Sequence, residues 1–161
     1  MFNLKAEFYL KIIFLFSFIA LISAFFIEYI LGHQPCNLCL IERIPYGLSI
    51  MIIMAIFLIR KNQKFLVMLL FLTFVFSFAI SFYHFGIEQG FFQESSVCGV
   101  KSLSESITKE DLLKQLSEKT ISCKDVTFRI FGLSLTSINI VISLLFIITL
   151  SKIFKKYEKN K

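Results

Sequence analysis

Apolar residues gather into four long blocks along this chain, and most charged and polar residues lie between or beyond them. The blocks run over about 8–31, 40–59, 65–85 and 130–150. Each has the roughly 20 residues that cross a bilayer as a helix. The first block carries charge only near its ends, at Lys11 and Glu28, where long side chains reach the headgroups. The third is uncharged up to His84. The pattern predicts an all-α integral membrane protein: a single membrane domain over 1–161, built as a four-helix transmembrane bundle. The first block exceeds the about 7–15 apolar residues of a signal-peptide core and runs straight into a polar motif at Gln34, so it reads as a retained span.

Composition strengthens this picture. The chain has 161 residues, is 57% hydrophobic and contains 21 Phe, more apolar surface than a soluble domain of this size can hide. The net charge of +6 raises the possibility of a nucleic-acid partner, but its placement points elsewhere. Lys5 and Lys11 flank the first block; Arg60, Lys61 and Lys64 fill the second connection; Lys152, Lys155, Lys156, Lys159 and Lys161 form the tail. The positive-inside rule puts these three regions in the cytoplasm, and the tail reads as topology and attraction to anionic lipid. Loops 32–39 and 86–129 then share the outer face.

All four cysteines, Cys36, Cys39, Cys98 and Cys123, fall in or beside those outer loops. An even count outside the reducing cytosol reads as two dithiol/disulfide pairs, Cys36–Cys39 and Cys98–Cys123. For Cys98 and Cys123 a purely structural staple remains open. For Cys36–Cys39 it is weaker, because so small a ring restricts the unfolded chain very little. Zinc is disfavoured, since the second pair lacks Cys-x-x-Cys spacing, and no metal is expected.

The Cys36–Cys39 pair precedes Glu42 and Arg43. Cys39 is expected at the start of the second membrane helix, where the helix dipole favours a thiolate. Arg43 lies one turn further on and carries a permanent charge that can support a thiolate or an oxyanion on a bound acceptor; the plain alternative is an interfacial residue. Glu42 is either a partner for Arg43 or a residue pointing to water, and Tyr46 reads as an interfacial anchor. Pro45 either kinks the helix or sits early enough to cost little. His84 closes the third block on the outer side and can hydrogen-bond or carry a proton there; His33 has a weaker case. Glu88 and Gln89 follow His84 by about one turn, where they either orient it or, as the preferred reading, belong to the loop. In the long outer loop, Thr108 and Asp111 suggest a helix start, followed by Leu112, Leu113 and Leu116. A short surface helix over about 109–119 is expected. Cys98 stands in polar sequence expected to be accessible, as a thiol meeting another protein's disulfide requires. Phe91 and Phe92 are expected to dip into the membrane interface.

The ordered set of motifs resembles the bacterial DsbB family across nearly the whole chain. It comprises Gln34-Pro35-Cys36-Asn37-Leu38-Cys39 with Glu42-Arg43, Tyr83-His84, Gly86-Ile87-Glu88-Gln89, Cys98, and Cys123 ahead of Phe131-Gly132-Leu133-Ser134. The resemblance implies a membrane thiol oxidase that reoxidises a periplasmic thioredoxin-fold dithiol oxidase (DsbA-like) and passes the electrons to a non-covalently bound quinone, ubiquinone or menaquinone. It implies a bacterial inner-membrane location with both termini cytoplasmic. It implies that Cys98 forms the mixed disulfide, that Cys123 resolves it or exchanges with Cys36, and that Cys39, Arg43 and His84 meet the quinone. Trp is absent, so Phe91-Phe92 forms the aromatic pair of the outer loop, which bears on partner docking. A sister branch with a dedicated partner remains open. In a vitamin K epoxide reductase-like enzyme the loop pair comes first in the chain, opposite to the order here. An outward carrier of reductant needs cysteines within the membrane or facing the cytosol. The non-enzymatic alternative is a structural membrane subunit with stapled loops.

Overall fold

The computed structural model describes residues 4–59, 62–94, 98, 122–124, 129–130 and 132–159. The elements are α1 (Leu4–Tyr29), α2 (Asn37–Ile41), α3 (Ile44–Leu58), α4 (Gln63–Glu88), β1 (Arg129–Ile130), β2 (Leu133–Ser134) and α5 (Leu135–Lys159). Among the described residues, four segments are long and apolar enough to cross a membrane: Ala6–Tyr29, Asn37–Leu58, Gln63–Glu88 and Leu135–Lys155. They form the multi-pass helical architecture of a membrane protein. The surface helix expected over 109–119 lies outside the described residues.

The helices run up and down, so the ends of α1 and α4 and the starts of α2 and α5 meet at one end with the cysteines. α4 packs most extensively on α5, α3 joins α4, and α1 lies against α3 while touching α5 only sparsely. Large apolar side chains such as Phe8, Phe25, Met51, Phe65 and Val141 point outward, as lipid requires. The interior holds an apolar cluster of Leu10, Ile53, Leu70, Phe74 and Leu150. Phe146 of α5 meets Phe74 at 4.9 Å and Phe16 at 5.5 Å, both edge-on.

Small polar residues line the helix contacts above this cluster. Ser49 Oγ lies 2.9 Å from Ser17 Oγ, and Ser143 Oγ lies 3.1 Å from Ser77 Oγ. Small residues let helices approach closely, and such buried hydrogen bonds contribute about 0.6 kcal/mol each in membrane bundles.

Two local features shape the cysteine end. Pro45 occupies the first turn of α3, where its missing N–H removes no helical bond. The helix therefore breaks between α2 and α3 at Glu42 and Arg43, and these neighbours point in different directions. After α4, Gly90 takes a left-handed conformation with φ of 78°. The chain folds back so that Phe91 N and Phe92 N both donate to Gly86 O, at 2.8 and 3.1 Å. The Phe92 ring lies directly on Gly86, where any Cβ would collide with it, and stacks on Tyr83 at 5.7 Å. Phe91 projects outward, so the two members of the aromatic pair have different environments. The β1–β2 ladder, with Arg129 opposite Ser134 and Ile130 opposite Leu133, delays the start of the last helix to Leu135.

Candidate redox site

The Cys-x-x-Cys pair sits on α2, shifted by one turn from the sequence expectation. Cys36, rather than Cys39, occupies the N-cap: its Sγ accepts the Cys39 backbone N–H at 3.3 Å. The two sulfurs are not joined in a disulfide and lie 2.8 Å apart. On its other side Cys36 Sγ lies 3.6 Å from His84 Nε2. The Cys36 thiol is pulled down from 9.0 to about 4, first by its hydrogen bond with Cys39 and then by His84, against the opposing effect of burial. The favourable thiolate setting expected for Cys39 thus belongs to Cys36. Cys36 is buried, whereas Cys39 is partly exposed.

His84 is held from both ends. Its Nδ1 lies 2.9 Å from Glu42 Oε1 and 3.3 Å from Thr136 Oγ1. Donation of an Nδ1 proton to the Glu42 carboxylate leaves Nε2 bare and directed at the Cys36 proton, an assignment that follows from the partners. Glu42 Oε2 accepts from Asn139 Nδ2 at 3.1 Å. Asn139 also donates to Ser81 Oγ at 2.7 Å and accepts from the Tyr46 hydroxyl. Tyr46 is therefore buried in this network, not an interfacial anchor.

Glu88 is likewise not a loop residue. It ends α4, and its buried Oε1 accepts the Thr136 hydroxyl at 2.7 Å and lies 3.9 Å from His84 Nε2. Its Oε2 has no hydrogen-bond partner among the described residues. Gln89 is the C-cap. Arg43 takes Glu28 of α1 as its salt-bridge partner in place of Glu42, and its guanidinium lies 5.3 Å over the Phe25 ring.

Cys98 and Cys123 are joined in a disulfide. Cys98 is only 1% exposed and Cys123 3%, so the accessibility expected for Cys98 is absent in this state. The disulfide packs with Cys36, Leu38 and Ile87, with Cys39 and Tyr83 at the edge of the cluster. Cys36, Cys98 and Cys123 thus meet in one buried group, with Cys39 partly exposed at its edge.

A cavity of about 360 Å³ opens beside them, between α1 and α5 where those helices barely touch. Phe16, Ala20, Ala24 and Ile27 of α1 form an apolar wall, with Ile138 and Ile142 of α5 opposite. Cys36, Cys39, Arg43, His84 and Cys123 lie along its lining, and His33 is also there. The size suits a small-molecule site, and the combination of apolar walls with a few polar groups fits a quinone. Cys36, Cys39 and His84 also present ligand atoms within 4.8 Å of one another, a grouping that a soft metal ion could engage in the reduced pair.

Several of these residues carried a readable signal. Ser77, Ser81, His84 and Glu88 recur on one face of α4, and Thr136, Asn139 and Ser143 on one face of α5. Polar stripes within membrane helices face inward and mark sites.

The family described as disulfide bond formation protein DsbB matches residues 6–152. An uncharacterized protein of Rickettsia prowazekii (strain Madrid E), RP370, is 32% identical over 147 residues, covering 90% of this chain and 86% of that protein. With its four membrane-spanning helices and buried cysteine cluster, the chain belongs to the DsbB family of disulfide bond formation proteins.

Proposed function

We propose that this protein is a quinone-dependent dithiol oxidase that reoxidises a periplasmic thioredoxin-fold partner, DsbA-like, and passes the electrons into the membrane. The observation that carries this reading is the contact of the Cys98–Cys123 disulfide with Cys36, at the edge of an apolar cavity that also takes in Cys39.

The relay runs by thiol–disulfide exchange. A partner thiolate attacks Cys98; the partner–Cys98 bond forms and the Cys98–Cys123 bond breaks, releasing Cys123 as the thiolate. The partner's second thiolate attacks the mixed disulfide, leaving the partner oxidised and Cys98 reduced. With Cys36 and Cys39 in their disulfide state, the Cys123 thiolate attacks Cys36 and Cys39 leaves as a thiolate. Cys98 then closes on Cys123, releasing Cys36. The loop pair is oxidised again, and both electrons rest on Cys36 and Cys39.

When bound, a quinone supplies the acceptor for two electrons and two protons. Cys39, Arg43 and His84 would hold its head, and the α1 and α5 walls its apolar tail. His84 takes the Cys36 proton at Nε2 while Glu42 fixes the ring from Nδ1. Arg43 stabilises negative charge at the cavity wall, steadied by Glu28.

The membrane is the bacterial inner membrane. Basic residues near the ends of the chain and in the second connection support cytoplasmic termini. The disulfide at the opposite end supports an oxidising, periplasmic side.

The test is oxidation of a reduced thioredoxin-fold partner by the purified protein in lipid nanodiscs with added quinone. Catalytic turnover is expected, and Cys39→Ser should abolish electron delivery to quinone. Retained turnover in that variant, or none in the unaltered protein, would overturn the reading.

A further inference from the structure

The mechanism makes no use of Glu94, yet this carboxylate grips the turn that carries Cys123. Its Oε1 accepts from the Ser122 hydroxyl and, at 3.0 Å, from the Lys124 backbone N–H. Lys124 N also lies 3.2 Å from Ser122 Oγ. One oxygen therefore bridges the two residues that flank Cys123. Glu94 follows directly from the fold-back onto α4, where Phe92 packs on Gly86 and Tyr83. The hold on Cys123 is thus tied to the helix that carries His84.

We propose that Glu94 is a positioning residue that keeps Cys123 docked beside Cys36 once the partner has taken Cys98 out of the cluster. The inference rests on the relay reading above. At 1% exposure Cys98 cannot be attacked where it lies, so the partner's attack needs a local opening that bares the Cys98 sulfur while it is still bonded to Cys123. Once the Cys98–Cys123 bond breaks, that covalent restraint on Cys123 is gone. Without another, the Cys123 thiolate would leave the buried group and lose its alignment with Cys36 Sγ, and small misplacements are costly for a reaction that depends on proximity. The bridge from Glu94 involves neither Cys98 nor the disulfide, so it persists after exchange. It uses a single acceptor oxygen, so the amide of glutamine can replace it, whereas alanine cannot.

The experiment uses the full chain in lipid nanodiscs with Cys39→Ala and Cys98→Ala, leaving Cys36 and Cys123. Glutathione disulfide is the oxidant: the two thiols lose two electrons and two protons in forming the Cys36–Cys123 bond, and two glutathione thiols are produced. Closure is followed by mass shift after thiol blocking. Glu94→Ala is expected to slow closure about tenfold, the scale of one or two lost hydrogen bonds, while Glu94→Gln closes at the parent rate. In a second background with Cys98→Ala and Cys123→Ala, closure of Cys36–Cys39 should be unchanged by Glu94→Ala, which separates positioning from damage to the bundle. Equal rates in all three Glu94 forms, equal slowing by Gln and Ala, or slowed Cys36–Cys39 closure would overturn the assignment. Failure of Cys36 and Cys123 to join even with Glu94 intact would instead overturn the relay reading on which it rests.

Discussion

His84 bridges Cys36 and Glu42, with Nε2 3.6 Å from the Cys36 sulfur and Nδ1 2.9 Å from Glu42 Oε1. The carboxylate orients the ring, and the ring faces the thiol, an arrangement that suits proton removal from a nucleophilic sulfur. Stabilising the Cys36 thiolate favours the reduced pair over its disulfide and makes the pair a stronger oxidant. His84→Gln is therefore expected to raise the Cys36 pKa and lower the reduction potential of the Cys36–Cys39 pair, by about 30 mV for each unit of pKa. Thiolate absorbance against pH and equilibration with glutathione, in protein lacking Cys98 and Cys123, measure the two effects. An unchanged potential would remove His84 from this role.

The same depressed pKa makes the reduced protein's stability depend on pH. A thiol that titrates at about 4 in the folded chain and at an ordinary 9.0 when unfolded contributes fully above pH 9.0. That contribution declines on acidification and vanishes below about 4. The stability difference between the reduced protein and its Cys36→Ser variant should therefore grow from about pH 4 to pH 9.0. Thermal unfolding across that range measures it; a flat difference contradicts the low pKa.

Arg43 is held by Glu28 and by the Phe25 ring while lining the cavity. Arg43→Ala should raise the apparent KM for quinone about tenfold or more, the scale of a charge-assisted hydrogen bond. Closure of Cys36–Cys39 by glutathione disulfide should be unaffected. Arg43→Lys should rescue only part of the loss, because an ammonium lacks the planar fork of a guanidinium. An apparent KM equal to that of the parent counts against the role.

The four spans and the adjacency of Cys36 and Cys39 were legible because lipid imposes long apolar blocks and because Cys-x-x-Cys is local. What the chain order hid was direction. The break ahead of Pro45 turns Glu42 inward to His84 and Arg43 to Glu28, so Glu42 takes neither of the two places left open for it, beside Arg43 or in water. Glu88 looked like loop because the apolar block ends at Phe85, yet α4 continues and its polar stripe carries Glu88 into the interior. The burial of Cys98 has no local signature, since it depends on packing against Cys36, Leu38 and Ile87. Tyr46 resembled an anchor because the residue that accepts its hydroxyl proton, Asn139, lies on the last helix.

Asn139 joins Glu42, Ser81 and Tyr46 within the bundle. Asn139→Leu strands these polar groups in an apolar interior and should destabilise the protein by about 1–3 kcal/mol. It should also slow Cys36 deprotonation, because Glu42 loses one of its supports. Thermal unfolding in detergent and Cys36 alkylation rates report on the two effects separately. Unchanged values for both would mean that the network is dispensable.

The relay itself is tested most directly with a thioredoxin-fold partner that keeps only the accessible cysteine of its pair. Mixed with the fully oxidised chain in nanodiscs without quinone, that single thiol has no second partner thiol to resolve its product. Mass mapping of the complex is predicted to find the partner joined to Cys98 and, in the same molecules, Cys36 joined to Cys123, with Cys39 free. A partner joined to Cys36 or Cys39, or no mixed disulfide with folded and oxidised protein, would contradict the two-pair relay.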